Sequence, residues 1–119
     1  MNIKRVKGDV GEELTVKWLK RHRYKIIQRN FSCRWGEIDV IAQKGDVLCF
    51  TEVKTREIDS YGRPAEAVDY RKQQRILKTA NVYLTQNPCD LQPRFDVAEV
   101  VTEKGKLAEI NYIENAFGE

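Results

Sequence analysis

Apolar residues near the start of the chain recur three or four positions apart, which is the spacing of one face of an α-helix. This stripe consists of Ile3, Val6, Val10, Leu14 and Trp18. It predicts a first helix over about residues 3–22. A second face of that helix carries Gly8, Gly11, Glu12, Thr15 and Leu19. Because glycine weakens a helix interior, the two glycines indicate either close packing against a sheet or a later helix start. A solvent-facing position would account for the charge of Glu12.

The remaining pattern predicts five strands and one further helix. The strands are predicted over about residues 24–31, 37–42, 47–54, 94–102 and 107–113, and the long helix over about 65–85. A polar link covers residues 32–35, and residues 57–64 are expected to form a mobile loop. The order helix, three strands, helix, two strands predicts an α/β fold with a mixed central sheet flanked by helices.

Length and composition narrow the class of protein. The 119 residues suit one domain over residues 1–119, and 41% hydrophobic residues can form a core without disulfides. No apolar run approaches the ~20 residues of a membrane span, and no signal region follows the first charges, so a cytoplasmic location without membrane contact is expected. Cys33, Cys49 and Cys89 lack the spacing of a zinc site or a disulfide framework.

Charge adds a weak indication of a polyanionic partner. The net charge is +3, and cations recur around the polar loop and on the second helix. The candidate nucleic-acid-binding residues among them are Arg56, Arg63, Lys72 and Arg75. Charge alone equally fits ordinary solvated helix faces.

Polar residues of the central predicted hairpin fall on one face. A two-residue turn at Gly45-Asp46 puts Asp39 opposite Glu52. That face then holds Glu37, Asp39, Glu52 and Lys54, and the other holds Ile38, Val40, Ala42, Cys49, Thr51 and Val53. Two opposed carboxylates repel each other. A divalent cation would relieve that repulsion, and Mg²⁺ is the usual ion in such sites. Lys54 could then stabilise a water nucleophile or the charge developing on a phosphate.

The same residues also fit a surface strand whose glutamate and lysine make weak cross-strand pairs. Glu-x-Lys alone is common on strands, and a one-residue slip in register would send one strand's side chains to the opposite face. The pattern of residue types by itself slightly favours this structural interpretation.

A wider motif carries more information. Asp39, twelve intervening residues and then Glu52-Val53-Lys54 resemble the PD-(D/E)xK nuclease signature without its proline. More closely, the chain resembles the YraN family of uncharacterised bacterial proteins. That resemblance extends over nearly the whole chain, from Gly8-Asp9-Val10-Gly11-Glu12 through Tyr61-Gly62, Val68, Lys72 and Ala80 to Arg94-Phe95-Asp96-Val97.

The resemblance implies a restriction-endonuclease-like fold similar to that of archaeal Holliday-junction resolvases. It implies metal ligation by Glu12, Asp39 and Glu52, with Asp39, Glu52 and Lys54 as the catalytic residues and Mg²⁺, or Mn²⁺ in its place, as the cofactor. Gln73 or Gln74 is the candidate supporting residue on the following helix, and helical phase does not choose between them. A homodimer is expected by analogy with the resolvases.

Three functions remain open at this point. The first is a metal-dependent endonuclease that cleaves phosphodiester bonds of structured or branched DNA. The second is a non-catalytic nucleic-acid-binding module that retains the fold, and the third is a protein-interaction adaptor with solvated basic faces. Similarity of fold does not by itself establish cleavage.

Overall fold

The computed structural model describes residues 3–58 and 68–118, with side chains described from residue 10 onward. Its helices are α1 (Ile3–Arg21) and α2 (Tyr70–Gln86). Its strands are β1 (Lys25–Cys33), β2 (Gly36–Lys44), β3 (Val47–Glu57), β4 (Gln92–Glu103) and β5 (Lys106–Phe117). The predicted element order and α/β class are therefore confirmed. None of the helices in these described ranges is long and apolar enough to cross a membrane.

The strands form one mixed sheet in the order β1-β2-β3-β4-β5. Neighbouring strands are antiparallel except β3 and β4, which are parallel. Parallel neighbours need a long crossover connection, and α2 lies within it. One apolar cluster packs α2 against one face of the sheet, and a second packs α1 against the other face. The core therefore lies in two layers, one on each side of the strands.

The glycine-containing face of α1 packs against the sheet, which is one of the two interpretations that its glycines allowed. The apolar stripe is only partly buried: Leu14 and Trp18 are half-buried, and Trp18 packs against the cluster beneath α1. Val10 is 40% exposed, whereas Gly11, Thr15, Val16 and Leu19 are buried. A Cβ on Gly11 would overlap the hydroxyl of Thr55 and lie 3.4 Å from Cγ1 of Val53. Close approach of helix and sheet explains this glycine, and it favours small residues over bulky ones on the contact face.

Helix α2 begins at Tyr70, not in its predicted first residues. Asp69 has extended backbone angles, and its carboxylate accepts a hydrogen bond from the backbone N–H of Lys72 at 2.8 Å. An aspartate at this position caps the helix, which fixes the start one residue later. The predicted loop over 57–64 is wrong at Glu57, which is the last residue of β3. The rest of that loop from residue 59 on, and the predicted helical residues 65–67, lie outside the described residues.

Several strands are longer than their apolar patterns predict. β1 continues through Ser32 to Cys33, so only Arg34 and Trp35 form the turn to β2. β3 extends to Glu57 because its parallel pairing with β4 continues as far as Glu57↔Thr102. Backbone hydrogen bonds to a neighbouring strand can thus extend a strand beyond the residues whose side chains alternate between apolar and polar.

Asp96 of β4 holds the last strand in place. It is fully buried, and its carboxylate accepts hydrogen bonds from Arg94 Nε at 3.0 Å, Tyr112 Oη at 2.7 Å and the backbone N–H of Asn115 at 2.9 Å. Burial and then the neighbouring Asp96 charge raise the pKa of Tyr112, so its hydroxyl stays a proton donor. The role of Asp96, which the sequence does not define, is therefore structural.

Candidate active site

Asp39 and Glu52 meet where β2 and β3 separate. The predicted register is confirmed from Lys44↔Val47 to Val40↔Thr51, where the paired stretch ends. Immediately beyond it, Oδ2 of Asp39 accepts a hydrogen bond from the backbone N–H of Val53 at 2.7 Å, and the Glu52 carboxyl group lies close enough to raise the pKa of Asp39. Where the ladder ends, the Asp39 side chain therefore accepts a β3 backbone N–H.

The predicted alternation of faces changes at the same place. Ile38 belongs to the cluster beneath α2 together with Ile41, whereas Val40 belongs to the cluster beneath α1. Ile38 therefore does not share a face with Val40, as strict alternation predicts. On β1, Asn30 lies between the pairs Arg29↔Val40 and Phe31↔Ile38 and has a φ of +55°. The neighbouring strand is therefore irregular at the level where the face changes, although the β1–β2 register continues unbroken across it.

The two carboxylates are in an electrostatically unfavourable setting. Burial, followed by the negative charge of Glu52, raises the pKa of Asp39 from 3.8 to about 8. Glu52 is itself buried, with 8% of its surface exposed. Near neutral pH the pair therefore holds a proton that a bound cation would displace.

Lys72 of α2 supplies a positive charge beside Glu52. Its Nζ lies 2.5 Å from Oε2 of Glu52, and 48% of the lysine side chain is exposed. Burial alone would lower the pKa of Lys72, but the hydrogen bond and charge of Glu52 raise it above its ordinary value. The lysine ammonium thus partly neutralises the carboxylates from the side that opens to solvent.

An open cavity of about 510 Å³ lies over the pair. The residues around it are Gly36, Glu37, Asp39, Glu52, Val53, Asp69, Arg71, Lys72, Arg75 and Ile76. The strands contribute the carboxylates Glu37, Asp39 and Glu52, whereas α2 contributes three cations together with its capping Asp69. The carboxylates of such a cavity can bind a metal ion, and its cations can bind a phosphate next to that ion.

Glu12, the third predicted ligand, lies apart from this cavity. It is 4% exposed, and Oε1 accepts hydrogen bonds from Arg29 Nε at 2.9 Å and Asn30 Nδ2 at 3.0 Å. A solvent-facing position is thereby excluded, since an ion pair with Arg29 balances the buried charge. Its partner Asn30 lies on β1 between the residues that pair with Ile38 and Val40, and neither Glu12 nor Asn30 lines the cavity.

Lys54 and the two glutamines also lie outside the cavity lining. Lys54 is half-buried on β3 and pairs in register with Glu99 of β4, whereas Glu37 does not face it in the β2–β3 ladder. Gln73 donates to the carbonyl of Val68 at 2.8 Å, and Gln74 lies along a neighbouring groove. Residues 72, 75 and 76 share one helical face, and successive residues turn by ~100°, so 73 and 74 point elsewhere.

The predicted nucleic-acid-binding residues divide into two groups. Lys72 and Arg75 line the cavity. Arg56 lies on β3, and its Nε and Nη1 are buried with no hydrogen-bond partner within the described residues. Arg63 lies outside the described residues. Sequence reasoning did not select Asp69 and Arg71 as site residues; the recurrence of cations at positions 71, 72 and 75 was the signal available for Arg71.

The residues present fit a hard divalent cation. Within the described ranges, no three Asp, Glu, His or Cys side chains lie together in an arrangement that could hold a metal ion. Mg²⁺ is commonly held by only one or two carboxylates, with waters and substrate phosphates completing its coordination. The Asp39–Glu52 pair provides those two carboxylates. The raised pKa of Asp39 reflects unfavourable negative charge at this position, which a bound cation would offset.

Comparison with known proteins identifies the class to which the chain belongs. Residues 11–100 match the model of an uncharacterised protein family, UPF0102, which is the YraN-type family of bacterial proteins. The chain belongs to this family, so the predicted resemblance is confirmed.

Individual relatives match over almost the full length. A UPF0102 protein of Caldanaerobacter subterraneus is 46% identical over 117 residues, covering 96% of each chain. Those of Geobacter metallireducens and Dictyoglomus thermophilum are 48% and 44% identical, covering 92% and 98% of this chain and 90% and 100% of theirs. The match therefore includes both helices and all five strands.

Proposed function

We propose that this protein is a Mg²⁺-dependent endonuclease that cleaves phosphodiester bonds of structured or branched DNA. The observation that carries the proposal is the buried Asp39–Glu52 pair, placed by two adjacent strands beneath a cavity whose other side is cationic. The preference for branched DNA rests on the resemblance to junction resolvases, and so does the expected homodimer.

Each site residue has a defined task in this proposal. Asp39 and Glu52 hold the cation, and Val53 fixes the orientation of Asp39 through its backbone N–H. A bound Mg²⁺ would supply a more acidic water and neutralise charge on the phosphate. Arg71 and Arg75 line the same cavity and would bind phosphate oxygens, which guanidinium groups recognise through paired hydrogen bonds.

The nuclease signature includes a lysine that stabilises charge on the phosphate, and this chain has two candidates for that lysine. Lys54 corresponds to the lysine of the signature, whereas the Lys72 ammonium already lies at the carboxylates. A phosphate entering the cavity would offer Lys72 a second anionic partner, so its ammonium would turn from Glu52 towards the substrate.

The test is cleavage of a DNA panel comprising duplex, single strand, flap and four-way junction. Each DNA is incubated with Mg²⁺, with Mn²⁺ and with chelator, using the parent protein and the Asp39→Ala and Glu52→Ala variants. We expect metal-dependent cleavage that both substitutions abolish. Cleavage that persists in chelator or in both variants would show that the assigned site is not the nuclease site.

A non-catalytic nucleic-acid-binding module is the second candidate. The Lys72–Glu52 ion pair favours it, because this contact neutralises a carboxylate without a metal ion. This function predicts salt-dependent DNA binding that is indifferent to Mg²⁺, and no cleavage of any DNA in the panel.

A further inference from the structure

The turn between β1 and β2 presents an aromatic ring beside the cationic side of the cavity. Cys33 pairs with Gly36, so Arg34 and Trp35 form a two-residue turn, and 38% of the Trp35 surface is exposed. A tryptophan side chain is highly buried on average, so much of the Trp35 surface is open to contact with a ligand.

Contacts with α2 hold this turn in place. Gly36 has a φ of +154°, and a Cβ there would lie 3.4 Å from Oγ1 of Thr79 and 3.8 Å from Cβ of Arg75. The Cys33 thiol also lies 3.8 Å from the Thr79 hydroxyl. The ring is therefore presented by a turn anchored against α2, so little ordering would be needed for a ligand to stack on it.

The surroundings of Trp35 are strongly cationic. The guanidinium carbon of Arg34 and Nζ of Lys78 each lie 4.6 Å from the ring centroid. A groove of about 540 Å³ next to the ring is lined by Cys33, Arg34, Trp35, Gly36, Arg71, Gln74, Arg75 and Lys78, which include four cations and no carboxylate. Within the described residues, none of these four cations has a salt bridge.

This groove adjoins the carboxylate cavity. Gly36, Arg71 and Arg75 line both. A third groove, of about 410 Å³, also includes Trp35 in its lining, and the rest of that lining comes from the last half of α2: Lys78, Asn81, Val82, Thr85 and Gln86. From Arg71 to Gln86 the helix rises ~22 Å, enough for several nucleotides of one strand.

We propose that Trp35 stacks against an unpaired base, while Arg71, Arg75 and Lys78 bind the adjoining phosphates, so that the substrate is a nucleic acid with a single-stranded segment next to the cleaved bond. The placement relative to the cleaved bond rests on the proposed nuclease function; the stacking itself does not. An aromatic ring within a cationic groove is the usual solution for single-stranded nucleic acid, because every base offers a π-face. In a duplex the bases are already stacked on each other, so Trp35 would have no free base face to receive.

The test measures binding without cleavage. A 12-nucleotide thymidine single strand and a 12-base-pair duplex are titrated in chelator against the parent protein, Trp35→Ala and Trp35→Phe, with Lys106→Ala as a control for a distant exposed cation. We expect the single strand to quench the tryptophan fluorescence of the parent but not of Trp35→Phe, which retains Trp18.

The affinities provide the second readout. Trp35→Ala should bind the single strand about 5- to 150-fold more weakly, Trp35→Phe should lose less, and Lys106→Ala should match the parent. Duplex affinity should change less than about twofold in Trp35→Ala, since stacking contributes little there. Unchanged single-strand binding by Trp35→Ala, or an equal loss for single strand and duplex, would overturn the proposal.

Failure of the nuclease proposal gives a different result. If Glu52→Ala leaves metal-dependent cleavage unchanged while Trp35→Ala selectively loses single-strand affinity, the cleavage site is misassigned and the stacking site stands. If Glu52→Ala abolishes cleavage while Trp35→Ala binds normally, the nuclease stands and the stacking site is refuted.

Discussion

Replacing Asp39 with asparagine should make the metal-free protein more stable above neutral pH, although the residue is proposed to be essential. Burial and the Glu52 charge raise the folded-state pKa of Asp39 to about 8, above the 3.8 expected without them. The folded chain therefore binds this proton more tightly than the unfolded chain. Its stabilising contribution is complete below pH ~4 and is lost as the pH rises to ~8.

The magnitude follows from the same shift. At about 1.4 kcal/mol for each pKa unit, raising the pKa from 3.8 to about 8 sets a ceiling of about 6 kcal/mol on the loss. The site opens to a cavity that water can enter, so we expect about 2–3 kcal/mol after screening. The amide introduced by Asp39→Asn would retain an acceptor for the Val53 N–H and would carry no charge.

Urea unfolding followed by circular dichroism, in chelator at pH 5.5, 7.0 and 8.5, measures this difference. The parent should lose stability across this range, Asp39→Asn should lose less, and Glu109→Gln, an exposed carboxylate on β5, should follow the parent. Parallel pH profiles for the parent and Asp39→Asn, or an Asp39→Asn protein less stable than the parent at pH 8.5, would refute the electrostatic reasoning.

Three further substitutions probe the site and its support. Lys72→Met should lower the melting temperature in chelator, because Glu52 loses its ion-pair partner. Mg²⁺ should then raise the melting temperature of Lys72→Met by more than it raises that of the parent. Equal increases would argue against a position that the Lys72 ammonium and Mg²⁺ both occupy. Gly11→Val should cost about 1–3 kcal/mol because its side chain would clash with Thr55, and denaturant midpoints unchanged from the parent would contradict the close helix–sheet contact. Asp96→Asn should cost about 3 kcal/mol by breaking the ion pair between the fully buried Asp96 and Arg94, and a loss below about 1 kcal/mol in urea unfolding would argue against that network.

The element order could be predicted from the sequence because helical and alternating patterns are local properties. The hairpin register could also be predicted, since the turn at Gly45-Asp46 fixes which residues face each other. The buried face of α1 was predictable only in part, because its two glycines fitted either close packing against a sheet or a later helix start. The structure shows close packing, since the glycine face allows the backbone of α1 to approach β3.

The site was partly predictable for the same reasons. Opposed strands bring Asp39 and Glu52 together, which the register anticipates. Glu12 accepts hydrogen bonds from Arg29 and Asn30 of β1. Asn30 has a positive φ, which no periodic pattern in the sequence indicates, so this contact could not be predicted. The helical phase of α2 is set by the capping Asp69 and the start at Tyr70, and that phase places Lys72 and Arg75 at the cavity in preference to Gln73.

The central claim is that the Asp39–Glu52 pair forms a metal-dependent nuclease site. The most direct test is the single-turnover rate at which the parent, Glu52→Gln and Lys106→Ala cleave a four-way junction carrying a single-stranded arm in Mg²⁺. The account predicts metal-dependent cleavage by the parent and Lys106→Ala at equal rates, and a loss of at least about 100-fold in Glu52→Gln. Cleavage by Glu52→Gln at the parental rate, or no cleavage by the parent with either Mg²⁺ or Mn²⁺, would contradict it.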